Sequence, residues 1–191
     1  MLRFVGQAAE RGLQAGIFVV FVVGLRQRNP GAVVNAACAL LVTHLSPCIE
    51  RRYDIEFKEW QRLYVNTGML AHAVGMLGPY DDVWWWDNVT HTSSATLLGG
   101  VVFAAARRRG RDPYPRVIAV VVCLGVLWEA FEYAIHAIAK YIGVEPILVS
   151  YGRADVAFDL GFDLVGALLV LVFGDHLLGN LTTTNEKIQR V

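Results

Sequence analysis

Apolar residues run in blocks along this chain, and each block is about as long as a bilayer is thick. A membrane-crossing helix needs roughly 20 mostly apolar residues, within a range of about 17–25. Six blocks qualify: residues 13–25, 31–49, 63–79, 87–106, 117–139 and 156–178. The first is short and reaches span length by borrowing residues 4–9. Arg3 and Arg11 before an apolar core imitate a secretory leader. Arg26, Gln27 and Arg28 stand where a small-residue cleavage site belongs, so the segment is expected to remain as an anchor. Between the second and third blocks, Tyr53, Phe57, Trp60 and Tyr64 recur at helical spacing through the charged residues 50–62. That pattern predicts either a short amphipathic helix on the membrane surface or a solvated connector. The whole pattern predicts an all-α fold: a polytopic helical bundle of about six transmembrane helices, forming one domain over residues 1–191.

Composition supports the membrane assignment. Hydrophobic residues make up 55% of the 191 positions, and the mean hydropathy is +0.43. Charge then orients the bundle. Arg3, Arg11, Arg51, Arg52, Lys58, Arg62, the run Arg107, Arg108, Arg109, Arg111 and Arg116, and Lys187 with Arg190 fall on one side of a six-span topology. They are thirteen of the 17 basic residues. Arg26, Arg28, Lys140 and Arg153 fall on the other. The positive-inside rule therefore predicts a multi-pass protein of the cell membrane with both termini cytoplasmic. Formal net charge is zero, so the balance carries no nucleic-acid signal, and the 107–111 run is a topology signal. Cys38, Cys48 and Cys123 all fall inside apolar blocks with no Cys-x-x-Cys pair, and read as small apolar residues. A Gly-rich phosphate loop, a Gly-x-Ser-x-Gly elbow and a His-Glu-x-x-His helix are all absent from the sequence.

The candidate chemistry lies inside the last three blocks. Asp87 and His91 open one, Glu129, Glu132 and His136 sit in the next, and Asp155, Asp159 and Asp163 begin the last. Spacings of three, four or eight put each set on one helix face. A charged side chain at the bilayer centre costs at least about 2.5–3.5 kcal/mol, so such groups mark a site by default. No Lys or Arg lies within these stretches to neutralise them. Alternating helix direction also brings them to one depth. Glu129 lies about 20 Å along its helix from Arg116, in a hydrocarbon core about 30 Å thick. Asp159 and Asp163 fall roughly 6–12 Å, and His91 about 6 Å, below the outer starts of their helices. His72 in the third block falls in a similar layer.

Plainer readings stand beside these. Asp87 and Asp155 lie where an N-cap would. Trp84, Trp85 and Trp86 form either an interfacial aromatic belt or a wall over a substrate entrance. His72 and His136 can be satisfied buried histidines. His44 and His176 lie toward the cytoplasmic ends. Arg153 is either a topology residue or a bidentate holder of carboxylates or of an anionic headgroup.

Three strings carry a family resemblance: Trp86-Asp87-Asn88-x-x-His91, Trp128-Glu129-x-x-Glu132, and Gly152-Arg153-x5-Asp159-x3-Asp163-x-x-Gly166. They resemble the elements of small VanZ-like membrane proteins and, more closely, of the related YjdF-like family. The resemblance covers about residues 84–175 and implies a compact bundle with its polar residues turned inward. Asp163 stands where VanZ-like proteins often have Asn, which adds a potential charge.

Two functional classes follow. In one, Asp87, His91, Asp159 and Asp163 hold a divalent metal ion at a pocket open to the outside, where oxygen-rich ligation suits magnesium, manganese or calcium, with zinc or iron as alternatives. Glu129 or Glu132 is then the general base, and His72 and Arg153 bind a lipid-linked or anionic substrate. In the other, the carboxylates bind protons or a cationic solute in a small transporter, or form a buried polar network that fixes helix register. The partners are the lipid bilayer and, for a transporter of this size, a second copy in a homo-oligomer.

Overall fold

Eight helices follow one another along residues 2–182, the residues described by the computed structural model: α1 (Leu2–Gln27), α2 (Pro30–Tyr53), α3 (Glu59–Gly75), α4 (Pro79–Asp82), α5 (Trp86–Arg108), α6 (Tyr114–Ile142), α7 (Arg153–Leu177) and α8 (Gly179–Thr182). No strand occurs among the described residues. Lys187 and Arg190 lie outside them. Five helices are long and apolar enough to cross a membrane: Gly6–Gln27 within α1, then α2, α5, α6 and α7. α3 takes most of the third apolar block, residues 63–79, but has only 17 residues, about 25 Å of helix.

The helix ends follow local rules. Arg28 adopts a positive φ of 58° after α1. Asn29 then caps α2, its side chain accepting from Ala32 N at 2.9 Å, with Pro30 in the first turn. α2 stops at Asp54, in the left-handed conformation. Of the two readings for residues 50–62, the separate amphipathic helix does not form. Asp54 breaks it, α2 takes its first part, and Trp60 and Tyr64 go to α3.

The helices form two halves. α1, α2 and α3 pack against one another around Ile17, Val20, Ala36, Ala39 and Ala73. α5, α6 and α7 pack around Ala95, Phe103, Val117, Val121, Ala167, Val170 and Leu171. The halves meet mainly along the α3–α5 seam, which is polar: Tyr64 hydrogen-bonds Thr96, and His72 Nε2 lies 2.7 Å from Ser94 Oγ. This explains why α3 is less apolar than its neighbours. Gln61 and Asn66 are buried between helices, not turned to lipid. By contrast Leu41, Val101 and Val172 are 69%, 68% and 70% exposed, an apolar surface too extensive for water.

Candidate functional site

The approach of α7 to α5 sets the geometry. A Cβ on Gly166 would lie 2.6 Å from Thr92 O and 2.7 Å from Ala95 Cβ, so only glycine fits where the two backbones meet. Thr92 Oγ1 also donates to Phe162 O at 3.3 Å. The helices run parallel there, Gly99 meeting Val170 and Gly174 meeting Phe103 further along, so one turn before Gly166 His91 faces Asp163, and near it stand Asp87 and Asp159. His91 Nδ1 lies 3.3 Å from Asp163 Oδ1. His91 Nε2 lies 3.7 Å from Asp87 Oδ1 and 3.9 Å from Asp159 Oδ1. One ligand atom from each of Asp87, His91 and Asp159 falls within 4.8 Å of the others.

α6 adds two acids with different surroundings. A Cβ on Gly125 would lie 2.6 Å from Asp163 Oδ2, so this glycine makes room for that carboxylate. One turn on, Glu129 is 9% exposed, and its Oε1 has no hydrogen-bond partner among the described residues. It lies within electrostatic reach of His91, Asp155, Asp163 and Asp87. Glu132, three residues further, instead lines a cavity of about 530 Å³. That cavity lies between the halves, with His72, Tyr80, Asp87, His91 and Ser94 also on its wall.

His91, Asp87, Asp159 and Asp163 thus come together, Glu129 is buried beside them and Glu132 shares their cavity. His72 lines the same cavity, but its nitrogens are engaged by Tyr80 Oη at 2.8 Å and Ser94 Oγ at 2.7 Å. Arg153 is exposed at the start of α7 and makes no ion pair among the described residues. Asp87 and Asp155 do not cap their helices: the caps are Trp85 and Gly152, and each Asp sits inside the first turn. His136 holds the connection after α6, its Nδ1 accepting from Ser150 N at 3.1 Å. Trp86 Nε1 donates to Ala71 O at 3.2 Å, whereas Trp84 and Trp85 are exposed, so the tryptophan run divides into one packed residue and two surface residues.

Several participants carry no chemical motif. Tyr80 lies in the four-residue α4 and Tyr151 in the connection after α6, both too short or irregular for periodicity to give a signal. Burial pushes the Tyr80 hydroxyl above its ordinary value. Burial, and then a hydrogen bond to Asp81, does the same for Tyr151. Both therefore stay protonated and able to donate. Ser94 and Gly125 were within reach of sequence reasoning. They lie three residues after His91 and four before Glu129, on the faces already marked.

The chain matches, over residues 9–180, a family described as "Predicted membrane protein (DUF2238)". The chain belongs to this family. The match spans the three polar helices and the half that packs against them. No curated protein and no solved structure matches the chain. Membership in a membrane family, with five apolar helices of spanning length, makes this a membrane protein.

The chemistry open to the cluster follows from its atoms. With Nδ1–H donated to Asp163, Nε2 presents a lone pair toward the oxygens of Asp87 and Asp159. Three acceptors then face one another at separations too long for hydrogen bonds. Only a proton or a cation relieves that arrangement. Ligands about 2.1 Å from a tetrahedral ion lie about 3.4 Å apart, so the three groups, now within 4.8 Å of one another, would have to draw together to share a divalent ion.

Proposed function

We propose that this protein holds a divalent cation between Asp87, His91 and Asp159 and uses it on a phosphate- or ester-bearing substrate drawn from the membrane or cell envelope. The observation that carries the reading is the facing of two carboxylate oxygens and an imidazole nitrogen whose other nitrogen is held by Asp163. A carboxylate on the distal nitrogen is the usual support of a metal-bound histidine, because it fixes the tautomer and raises ligand basicity. Asp163 is accordingly the orienting residue and not a fourth ligand. Three protein ligands leave positions for water and substrate, as catalytic sites require. Glu132 faces the cavity and is the proton acceptor; Glu129 adds negative charge from the buried side. Arg153, His72 and Tyr80 are assigned to the substrate's polar end.

The proposal includes the setting. The chain is one domain of six spans, α3 being the sixth, with both termini cytoplasmic in the cell membrane. The basic residues at one set of helix ends support this. The cluster then lies in the outer half of the bilayer. Kinship with VanZ-like and YjdF-like proteins rests on the three residue strings around Asp87, Glu129 and Asp159.

The test is thermal unfolding of the purified protein in detergent, with and without manganese, magnesium, calcium or zinc. A ligand that binds only the folded state adds about 2.7 kcal/mol at one hundred times its dissociation constant. Wild type is expected to be stabilised by at least one of these ions, and Asp87→Asn and Asp159→Asn by none. If no ion shifts wild type, the cation site is wrong and the cluster is a protonated structural network.

A further inference from the structure

The cavity between the halves is closed on three sides and not on the fourth. At one end Gln61 Nε2 donates to Leu177 O and Asn180 Oδ1, both at 3.0 Å, and clasps the halves together. Along one flank α3 and α5 are joined by the Tyr64–Thr96 and His72–Ser94 hydrogen bonds. At the other end the connection over residues 143–152 crosses toward α2. There a Cβ on Gly31 would lie 3.0 Å from Ile147 O, and Leu148, Val149 and Tyr151 roof the cavity. On the remaining flank α2 and α6 both line the cavity, yet their backbones do not approach closely enough to pack.

The two helices turn matching stripes toward this gap. Asn35, Cys38, Ala39 and Val42 recur at helical spacing on α2, and Val121, Leu124, Gly125 and Trp128 do so on α6. Cys38, Val42, Leu124 and Trp128 are exposed on the surface as well as lining the cavity, so they form the edges of a slot. Both helices have membrane-crossing length and hydropathy, so the slot opens to lipid. Its polarity is graded. Glu132, His91, Asp87 and Tyr80 lie at the roofed end, whereas Val42, Leu98 and Val121 lie deeper. From Glu132 to Val121 the wall of α6 runs about 16 Å. A head that needs polar partners fits one end, and a hydrocarbon chain fits the other.

We infer that the slot between α2 and α6 admits the chain of a phosphate-headed lipid from the bilayer and delivers its head to the Asp87, His91 and Asp159 site. The head assignment rests on the cation reading above, because carboxylates alone repel phosphate and a bound divalent ion reverses that. The slot rests on the packing alone. Water and ions have a separate way in: a vestibule of about 270 Å³ with Asp81, Asp87, Asp155, Tyr80 and Tyr151 on its wall. Its acidic lining favours cations over phosphate.

The test uses the full chain in phosphatidylcholine nanodiscs containing a trace of phosphatidic acid with a photoactivatable diazirine in its tail, with and without manganese. Cross-links mapped by mass spectrometry are expected on residues 35–42 and 121–128 and to increase with manganese. Leu124→Trp fills the slot and should lower them about tenfold while leaving the manganese-induced thermal shift intact. Leu127→Trp lies on α6 away from the cavity and should change neither. Equal labelling of the two tryptophan variants, or cross-links confined to other helix faces, would overturn the slot. Slot labelling that ignores both manganese and Asp159→Asn would overturn the phosphate head together with the cation site, leaving the slot as a chain-binding groove.

Discussion

The two halves of the molecule solve the same packing problem and treat charge in opposite ways. In the α1–α3 half the part-buried Arg62, Glu10 and Glu50 are paired by the protein itself. Arg62 Nε bonds Glu10 at 2.7 Å, and its NH1 reaches Glu50 at 3.4 Å and Phe57 O at 2.8 Å. These contacts lie at one end of the half and tie its helices together. In the α5–α7 half Asp175 pairs with Arg107 at 2.7 Å at the far helix ends, whereas Asp87, Glu129, Asp155, Asp159 and Asp163 lie around a single imidazole with no Lys or Arg among them. A buried acid without a protein counter-charge is a cost that folding alone would remove. On the proposed reading the first half is the scaffold and the second carries the chemistry, at the border where the two enclose the cavity.

Substitutions can break that comparison, and the largest expected effect is steric. Gly166→Val would push a side chain into Thr92 O and Ala95 and should cost about 3 kcal/mol, enough to separate α5 from α7. Gly12→Ala in α1 meets nothing within 4 Å and should be neutral or stabilising by up to about 1 kcal/mol. Thermal unfolding in detergent reads both. Next comes Arg62→Ala, which leaves Glu10 and Glu50 half-buried without their partner and should lose about 2 kcal/mol. Its manganese response should survive, because the scaffold's ion pairs are remote from the cation site; loss of that response would dissolve the division between the halves. The reverse pattern is expected of Asp87→Asn: unchanged or higher stability without metal, and no response to manganese. The smallest effect is Glu132→Gln, within about 0.5 kcal/mol of wild type and still metal-responsive, since this side chain faces the cavity. A Glu132→Gln protein that no longer responds to manganese would move Glu132 into the ligand set.

Much of this was legible in the sequence, for identifiable reasons. Apolar blocks located α2, α5, α6 and α7 because each turns a wide face to lipid and so carries an uninterrupted signal. The spacing of four between Asp87 and His91, and between Asp159 and Asp163, together with alternating helix direction, was enough to bring α5 and α7 to a common layer. Three features were not legible. The different surroundings of Glu129 and Glu132 depend on where α6 leans on α7, which no spacing within α6 reveals. The engagement of His72 by Tyr80 depends on how the short α4 folds back on the end of α3, setting the Tyr80 ring against Gly75. The exposure of Arg153 follows from the turn at Gly152, whose φ of 115° ends the preceding connection.

Anomalous scattering from crystals grown with manganese tests the cation site most directly. A single strong peak is expected about 2.1 Å from His91 Nε2 and from one oxygen each of Asp87 and Asp159, with Asp163 bonded to His91 Nδ1. The same peak should vanish in Asp159→Asn. Ordered Asp87, His91 and Asp159 side chains with no peak between them, at a manganese concentration that labels other acidic sites, would contradict it.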